Sequence, residues 1–320
     1  MILIKSFSRM KTRIIVNPQS DRGKTAGRWK KIKEALKYYL KEFKYEFTEK
    51  PLQAIELTRE SIKEGFNFIV GVGGDGTLNE IANGFFEENK IINPEATMGI
   101  IPSGTGCDFI RSLNIPKKIK NALEIIKSGK PSLIDIGKVI FKDHFGSKVE
   151  RYFLNVADFG LGGEVVKRVN EKRMERKASS YLKELIFTMI KYKNKKLKIS
   201  VDKKELPEEE YLIGAVANGK IFGGGMKIAP EARLNDGFFD LIVVKGFTFF
   251  EFLRHGWKVF SGTHLTHPKV KLIRGKKIKV ECKEDERVLL ELDGEQPGIL
   301  PAEFEIIPLS LKIRTSPHSF

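Results

Sequence analysis

The sequence predicts an α/β protein in which an N-terminal parallel-sheet domain precedes a C-terminal, mostly antiparallel β domain. In residues 12–136, short apolar runs alternate with helical patterns, which is typical of a parallel sheet covered by helices. After Gly129-Lys130-Pro131, strand-like runs with partial alternation predominate, and such runs are typical of antiparallel strands. We therefore expect two domains, at 12–137 and 138–320, with the last segment a candidate for a return to the first domain.

The first elements of this domain follow one another closely in the sequence. Arg13 to Asn17 is predicted to form the first strand, and Thr25 to Phe43 a basic amphipathic helix. Lys44 to Thr48 is predicted to form a second strand. Thr48 is then expected to cap a helix that begins at Pro51.

Two further strands of the first domain, at 68–72 and 98–101, each lead into a glycine-rich loop. The second of these loops is Pro102-Ser103-Gly104-Thr105-Gly106, and a helical stretch through Leu113 follows it. In an open parallel sheet, the carboxyl ends of the strands border the ligand crevice. We therefore expect Asn17 and both loops to face one nucleotide.

The first glycine-rich loop has the composition of a phosphate site with a carboxylate for a metal. It contains Gly73-Gly74-Asp75-Gly76 directly after the apolar run 68–72. The spacing of Thr77 and Glu80 predicts a capping box, and the free amides at a helix start favour anions. Glycine allows the backbone to approach phosphates closely. A glycine-rich turn without a ligand is the alternative.

Two other phosphate-binding patterns fit this sequence less well. Gly71, Gly73 and Gly76 match a dinucleotide fingerprint, but Asp75 would repel a pyrophosphate unless a cation lay between them. The loop also follows the third predicted strand rather than the first. A P-loop at Gly23-Lys24-Thr25 is excluded because Pro18 stands where that motif needs glycine.

Two acidic turns are candidate sites in the second domain. Asn235-Asp236-Gly237 is either a common turn or, with turned backbone carbonyls, a site for a hard cation. Asp293-Gly294-Glu295 follows a predicted strand at 288–292. It is either a candidate general base for attack on a phosphoryl group or a solvated hairpin turn, and the segment alone favours the turn.

Composition restricts the class of partner and compartment. A formal net charge of +16 predicts an anionic partner, and phosphate ligands, acidic lipid surfaces and nucleic acid all qualify. High Lys and Glu usage is alternatively typical of proteins from thermophiles. Cys107 and Cys282 are too far apart in sequence for a metal motif and fit a reducing cytoplasm. No run of about 18 apolar residues occurs, so we expect neither export nor membrane spanning.

Taken in order, these motifs resemble the diacylglycerol kinase catalytic family, particularly its bacterial soluble lipid kinases, which are similar in outline to sphingosine and ceramide kinases. The resemblance covers most of residues 12–310. The glycine-aspartate loop alone is shared with NAD kinases and phosphofructokinases, so the ordered set provides the specificity. The set consists of Asn17-Pro18-Gln19-Ser20, Gly73-Gly74-Asp75-Gly76-Thr77-Leu78-Asn79-Glu80, Pro102-Ser103-Gly104-Thr105 with Asp108, Asn235-Asp236-Gly237 and Asp293-Gly294-Glu295.

The resemblance implies a role for each motif. Glu295 would be the general base with Asp293 as its neighbour, and Asp75 would organise the catalytic Mg²⁺ through water. A structural Mg²⁺ would bind the Asp236 carboxylate and the carbonyls of Arg233 and Phe238. The ATP site would be lined by Asn17, Pro18, Gln19, Ser20, Asp21, Thr48, Gly73, Gly74, Asp75, Gly76, Thr77, Leu78, Asn79 and Thr105.

Two residues depart from the family's pattern. Asp21 stands where the first loop usually has glycine, and Cys107 stands where asparagine is commoner before Asp108. Either departure could change the nucleotide affinity or the shape of its loop.

The resulting prediction is an ATP-dependent lipid kinase that phosphorylates a lipid hydroxyl, with diacylglycerol as the family's leading example. NAD kinase, a non-catalytic nucleotide or lipid sensor, and a basic nucleic-acid-binding protein are the alternatives, and no nucleic-acid-binding motif is present. We expect a cytoplasmic protein in peripheral contact with anionic membrane. The aromatic stretch Phe247 to Phe260 is a candidate membrane contact, and its alternative role is to form buried core. The basic stretches at 167–177 and 191–198 are further candidates, and their alternative role is to form ordinary solvated faces. Edge strands could pair two chains as a homodimer.

Overall fold

The computed structural model describes residues 10–40, 42–172 and 178–316. The chain folds into two compact units, Met1–Ile134 together with Leu309–Phe320, and Asp135–Pro308. The basic stretch predicted at 167–177 therefore lies partly outside the described residues. Within the described residues, no helix has the length and apolar character needed to cross a membrane.

The main sheet of the first unit has its strands in parallel. The strands of this unit are β1 Thr12–Val16, β2 Lys44–Phe47, β3 Phe68–Gly73, β4 Phe86–Glu87, β5 Lys90–Ile91, β6 Thr97–Pro102 and the end of β17 Glu295–Thr315. The order in the sheet is β17–β6–β3–β1–β2, and β17 contributes Lys312 and Ile313 beside β6. A small hairpin pairs β4 with β5.

Helices pack on this sheet, and the first of them, α1 Lys24–Tyr39, does so through one apolar face. Trp29, Ile32 and Leu36 recur at helical spacing on α1 and pack against the buried strand residues Val70 and Val72. The register Val16 with Val72, and Gly73 with Pro102, brings the carboxyl ends of three strands to one edge. The helices of this unit are α1 Lys24–Tyr39, α2 Gln53–Lys63, α3 Asp75–Gly84, α4 Asp108–Ser112 and α5 Ile119–Ser128.

The second unit is rich in β structure, and its strands pair antiparallel. Alternation explains its core: Leu197, Ile199 and Val201 of β10 are buried while Lys196 and Lys198 are exposed. The remaining strands are β7 Lys130–Lys142, β8 Lys148–Phe153, β9 Val156–Gly160, β10 Lys195–Val201, β11 Lys204–Glu205, β12 Glu209–Ala217, β13 Phe239–Lys245, β14 Val270–Gly275, β15 Lys277–Cys282 and β16 Leu289–Leu292.

Within the described residues, this unit has four α-helices. They are α6 Leu161–Glu171, α7 Ala178–Lys191, α8 Phe249–His255 and α9 Lys258–Ser261. Val165 of α6, Met189 of α7 and Phe252 of α8 belong to one apolar cluster. The prediction of a mixed α/β fold with a β-rich C-terminal part is confirmed.

Three local predictions were wrong. The first helix ends at Tyr39, and Leu40 is already extended, so it does not reach Phe43. Thr48 caps no helix, and its N–H donates to the Val16 carbonyl. The helix predicted from Pro51, α2, begins at Gln53, because the left-handed φ of 65° at Leu52 excludes that residue from the helix.

The aromatic stretch 247–260 is not core throughout. Phe250, Leu253 and Trp257 are exposed, and neither α8 nor α9 contains a buried residue. Part of the stretch does pack on the protein: Phe247, Phe249 and Phe252 join one apolar cluster, and Val259 packs against another.

Candidate active site

The first glycine-rich loop is a tight strand-to-helix connection. β3 ends at Gly73, Gly74 is extended, and α3 begins at Asp75. A Cβ on Gly73 would lie 2.5 Å from the Cβ and Oγ1 of Thr77, so only glycine fits there. The absence of a side chain at Gly73 therefore lets the Thr77 side chain pack directly against the backbone where β3 gives way to α3.

The predicted capping box at this helix start is wrong. Thr77 lies inside the first turn of α3 rather than before it, and no side chain caps this helix. The Thr77 hydroxyl instead accepts a hydrogen bond from Asn17 Nδ2 at 2.9 Å. Glu80 Oε2 accepts the N–H of Ala54 at 3.2 Å, so both side chains bind other segments.

Asp75 connects the two glycine-rich loops. Its Oδ2 accepts the N–H of Asp108 at 3.0 Å, and its Oδ1 accepts the N–H of Phe109 at 3.1 Å. A carboxylate has about four lone-pair directions, so these two amides leave further acceptor sites. Asp75 therefore holds the start of α4 in place and can still bind a water or a cation.

The same two loops touch through glycine backbone. A Cβ on Gly104 would lie 2.4 Å from the Cα of Gly74. Any larger residue at 104 would push the loops apart.

The loop that follows β1, which begins at Asn17, lies against both glycine-rich loops. Asn17 Oδ1 accepts the N–H of Gln19 at 3.0 Å, and Ser20 Oγ lies 3.4 Å from Thr77 Oγ1. Thr25 Oγ1 lies 2.7 Å from Ser103 Oγ. Hydroxyls and amides from the ends of β1, β3 and β6 are therefore brought together at one edge of the sheet.

Asp21 occupies a backbone position that suits glycine. Its φ of 51° is left-handed, and its Oδ1 accepts the Thr105 hydroxyl at 2.9 Å. Arg28 pairs with its Oδ2 at 2.8 Å. Burial alone would raise the pKa of Asp21, but the hydrogen bonds from Thr105 and Arg28 together lower it below its ordinary value. The carboxylate thus links the first loop to the 102–106 loop.

Cys107 is a packed loop residue. It is buried with a φ of 54°, and its Sγ donates to the Gly104 carbonyl at 3.3 Å. Burial, followed by the nearby Asp75 charge, raises the pKa of this thiol to about 12. The thiol is therefore protonated near neutral pH and unsuited to nucleophilic chemistry.

Asp293 of the second unit is an anchor rather than a solvated turn residue. Its Oδ1 accepts the N–H groups of Asn155 and Val156 at 2.9 and 3.1 Å, and its Oδ2 accepts the N–H of Leu154 at 2.7 Å. Pairing of Leu292 with Glu295 leaves a two-residue turn, as the sequence predicts, but the Asp293 side chain is buried. The expectation of a solvated carboxylate was wrong because three amides bind it.

Glu295 lies at the start of β17, directly after that turn. Arg151 Nη2 donates to its Oε2 at 3.1 Å, and the Glu295 side chain is 27% exposed. The carboxylate is therefore accessible, and one oxygen is fixed by the guanidinium while the other is available for a proton.

Arg274 binds the Asp236 carboxylate predicted to hold a structural metal. Asp236 Oδ1 accepts the N–H of Phe238 at 3.1 Å, and its Oδ2 forms an ion pair with Arg274. The guanidinium and a metal would compete for this oxygen. Within the described residues, no group of three or more His, Cys, Asp and Glu side chains could hold a metal. The site predicted here has one carboxylate and two backbone carbonyls, so it is not such a group.

Several residues near these sites carry no sequence signal. Arg151 belongs to no motif, and neither does Lys117, whose Nζ donates to the Thr105 carbonyl at 2.6 Å. Arg151 acts on Glu295, 144 positions away, and Lys117 acts on Thr105, 12 positions away. A pattern read along the sequence has no means of finding them.

Comparisons with known proteins agree over nearly the whole chain. Residues 11–139 match the model of the diacylglycerol kinase catalytic domain, and residues 155–315 match that of the YegS C-terminal NAD kinase beta sandwich-like domain. A diacylglycerol kinase of Bacillus subtilis (strain 168) is 32% identical over 254 residues, covering 78% of this chain and 78% of the relative. One of Staphylococcus aureus (strain bovine RF122 / ET3-1) is 33% identical over 307 residues, covering 92% of this chain and 89% of the relative.

A solved structure extends the likeness to the fold. The crystal structure of a protein assigned as a diacylglycerol kinase from Bacillus anthracis str. Sterne superposes with a TM-score of 0.78 at 26% identity, covering 97% of this chain and 96% of that one. The resemblance predicted from the ordered motifs is confirmed. The chain belongs to the diacylglycerol kinase catalytic family.

Proposed function

We propose that the protein is an ATP-dependent lipid kinase that transfers the γ-phosphoryl group to a lipid hydroxyl. The observation that carries the proposal is the Asp75 carboxylate, which ties the first glycine-rich loop to the helix start that follows the second one, in a chain of this family. Relatives named diacylglycerol kinase support diacylglycerol as the acceptor.

The parallel-sheet unit is the nucleotide-binding domain in this proposal. Glycine at 73 and 104 lets the two loops pack tightly, and glycine-rich backbone at a helix start can approach phosphate oxygens. Asn17 and Thr77, which are hydrogen-bonded to each other, would orient the loops around ATP. The other residues proposed to line the ATP site are Pro18, Gln19, Ser20, Asp21, Thr48, Gly74, Asp75, Gly76, Leu78, Asn79 and Thr105.

The donor set fits Mg²⁺ at Asp75, since this carboxylate retains acceptor sites beside its two amide partners. Bound Mg²⁺ would neutralise the charge that develops on the phosphate oxygens. The structural metal at Asp236, Arg233 and Phe238 stays a prediction, because Arg274 competes for its one carboxylate.

Glu295 is the proposed general base. Its carboxylate would take the proton of the lipid hydroxyl while that oxygen bonds to the γ-phosphorus and the bond to the β-phosphate oxygen breaks, releasing ADP. Arg151 fixes one carboxylate oxygen, and Asp293 holds the preceding turn through three amides. Asp293 therefore acts as a positioning residue for Glu295.

Peripheral contact with an anionic membrane is also proposed. Phe250, Leu253 and Trp257 are exposed on α8 and at the start of α9, beside Arg254 and Lys258. Apolar and cationic side chains together are typical of surfaces that bind anionic bilayers.

A second helix of the same unit carries similar side chains. On α7, Leu182, Phe187 and Ile190 are exposed along with Lys183 and Lys191. α7 and α8 pack on one apolar cluster, so these side chains flank a shared core. A cytoplasmic location and a homodimer through edge strands stay predictions.

The decisive test is transfer of labelled γ-phosphate from ATP with Mg²⁺ to a lipid panel in mixed micelles. NAD and a no-lipid reaction run alongside, because the C-terminal half resembles a NAD kinase domain. We expect label on diacylglycerol or a related lipid alcohol, and a rate at least about a hundredfold lower with the Glu295→Gln variant. Label on NAD would instead establish an NAD kinase. Tight ATP binding without transfer to any acceptor would support a non-catalytic nucleotide or lipid sensor.

A further inference from the structure

Two carboxyl groups oppose each other in the interior of the second unit. Asp158 on β9 and Glu291 on β16 are direct cross-strand partners, and they are 1% and 3% exposed. Within the described part of the chain, the groups that reach Asp158 are the Glu291 carboxyl and the backbone N–H of Gly163, and Glu291 Oε2 has no donor outside the pair. Like charges directly opposite on paired strands repel each other, so two ionised groups here would be strongly unfavourable.

The pair is tightly enclosed by backbone, and further carboxylates surround it. The start of α6 packs closely on the pair, since a Cβ on Gly162 would lie 2.1 Å from Asp158 Oδ2. A Cβ on Gly163 would lie 2.7 Å from the Cβ of Leu289, so β16 is equally close. The charged groups that act on Glu291 and on the neighbouring Tyr192 hydroxyl are carboxylates, namely Asp293, Glu164, Glu286 and Asp158.

The pair is connected to the turn that carries the proposed base. Glu291 Oε1 accepts the N–H of Gly294, the residue between Asp293 and Glu295. Gly294 has a φ of 89°, which suits glycine, and Asp293 has a left-handed φ of 47°. Glu291 is therefore bonded to the middle of a turn with two consecutive left-handed residues, and a change in its charge or position would reach Glu295.

We propose that Asp158 and Glu291 carry at most one negative charge between them at neutral pH, and that this proton-sharing pair positions the Glu295 turn through Gly294. The proposal rests on the function proposed above. Burial raises the pKa of Asp158 to about 7. Burial, and then the Asp158 charge, raises the pKa of Glu291 well above its ordinary value. When the pair loses its last proton at alkaline pH, the two carboxylates repel each other. Glu291 then moves away from Gly294, and the turn loses that hydrogen bond.

Kinetics across pH 6–10 test this role in the full chain. We expect kcat of the unmodified protein to fall at alkaline pH. Glu291→Gln and Asp158→Asn each remove the charge repulsion, so this fall should weaken or disappear in both variants. Glu291→Ala removes the acceptor for Gly294, and we expect kcat to fall by about tenfold or more, with the KM for ATP changed far less. Glu284→Gln, an exposed change on the preceding connection, should reproduce the unmodified profile.

Thermal unfolding across pH gives a readout that does not need kinase activity. Groups with raised pKa values bind more protons in the folded than in the unfolded chain, so their contribution to stability falls as pH rises from about 4 toward the folded values. The unmodified protein should lose stability over this range more steeply than Glu291→Gln. Equal slopes would overturn the proton-sharing pair even if the kinase is confirmed. Equal kcat for Glu291→Ala and the unmodified protein would overturn the positioning role.

Discussion

The Asp75 carboxylate accepts the backbone N–H of Asp108 at 3.0 Å, although the two residues are 33 positions apart. The acid proposed to organise Mg²⁺ therefore also holds the second glycine-rich loop. Removing it should affect both the chemistry and the shape of the nucleotide site.

Two substitutions at Asp75 should separate these roles. Asp75→Asn keeps an acceptor for one amide but loses the charge, so we expect kcat to fall by about a thousandfold with little change in ATP affinity. Asp75→Ala leaves two N–H groups without their acceptor, and it should also lower the free energy of unfolding by about 1–3 kcal/mol. Single-turnover transfer, ATP titration and denaturant unfolding measure these effects. Glu60→Gln, an exposed change on α2, is the control, and an active Asp75→Asn would remove Asp75 from the metal role.

Gly104→Ala should separate the two glycine-rich loops. Its Cβ would lie 2.4 Å from the Cα of Gly74, so the backbone must move. We expect a loss of about 1–3 kcal/mol in stability and a raised KM for ATP. Gly27→Ala on α1 is a matched control, because nothing lies within 4 Å of its Cβ, and it should stabilise the protein by about 0.5–1 kcal/mol. An unchanged ATP affinity in Gly104→Ala would show that the loops do not shape the nucleotide site.

Arg151 should tune the reactivity of Glu295. Glu295→Gln removes the proposed base and is expected to lower kcat by about 10²- to 10⁴-fold without loss of ATP binding. Arg151→Met removes the ion pair at 3.1 Å and leaves Glu295 less well oriented, so a smaller fall in kcat is expected. Arg151→Lys keeps the charge without the planar fork and should recover part of the loss. Full activity in Arg151→Met would mean that the ion pair has no part in the reaction.

The exposed side chains of α8 and α9 should contribute to membrane binding. Replacing Phe250, Leu253 and Trp257 together by Ser should reduce partitioning to vesicles containing anionic phospholipid by about tenfold or more, since full burial of even one such side chain contributes about 1.5–3 kcal/mol. Salt should weaken binding of the unmodified protein, because cationic side chains lie beside them. Phe145→Ser is the control: Phe145 is 95% exposed but lies on the β7–β8 turn. An equal effect of both changes would argue against a defined docking surface.

Much of the first unit could be predicted because its signals are local. The apolar run at 68–72 and the neighbouring glycines require only the side chains along one segment, and β3 with its loop is found there. The capping box failed for a related reason: Thr77 and Glu80 have the right spacing, but the helix already begins at Asp75, and Asn17 and Ala54 bind their side chains. Local spacing gives no information on which distant group competes for a side chain.

The sequence by itself determined the family, the α/β character and the residues of the glycine-rich and acidic motifs, because residue type, periodicity and motif order are properties of the chain alone. Tertiary structure decided what those residues touch. The three amides on Asp293, the guanidinium on Glu295 and the carboxyl that faces Glu291 come from segments more than 130 residues away. Hydrogen bonds and charge interactions act over a few ångströms in space, so their partners, and the protonation states that follow, exist only once the chain has folded.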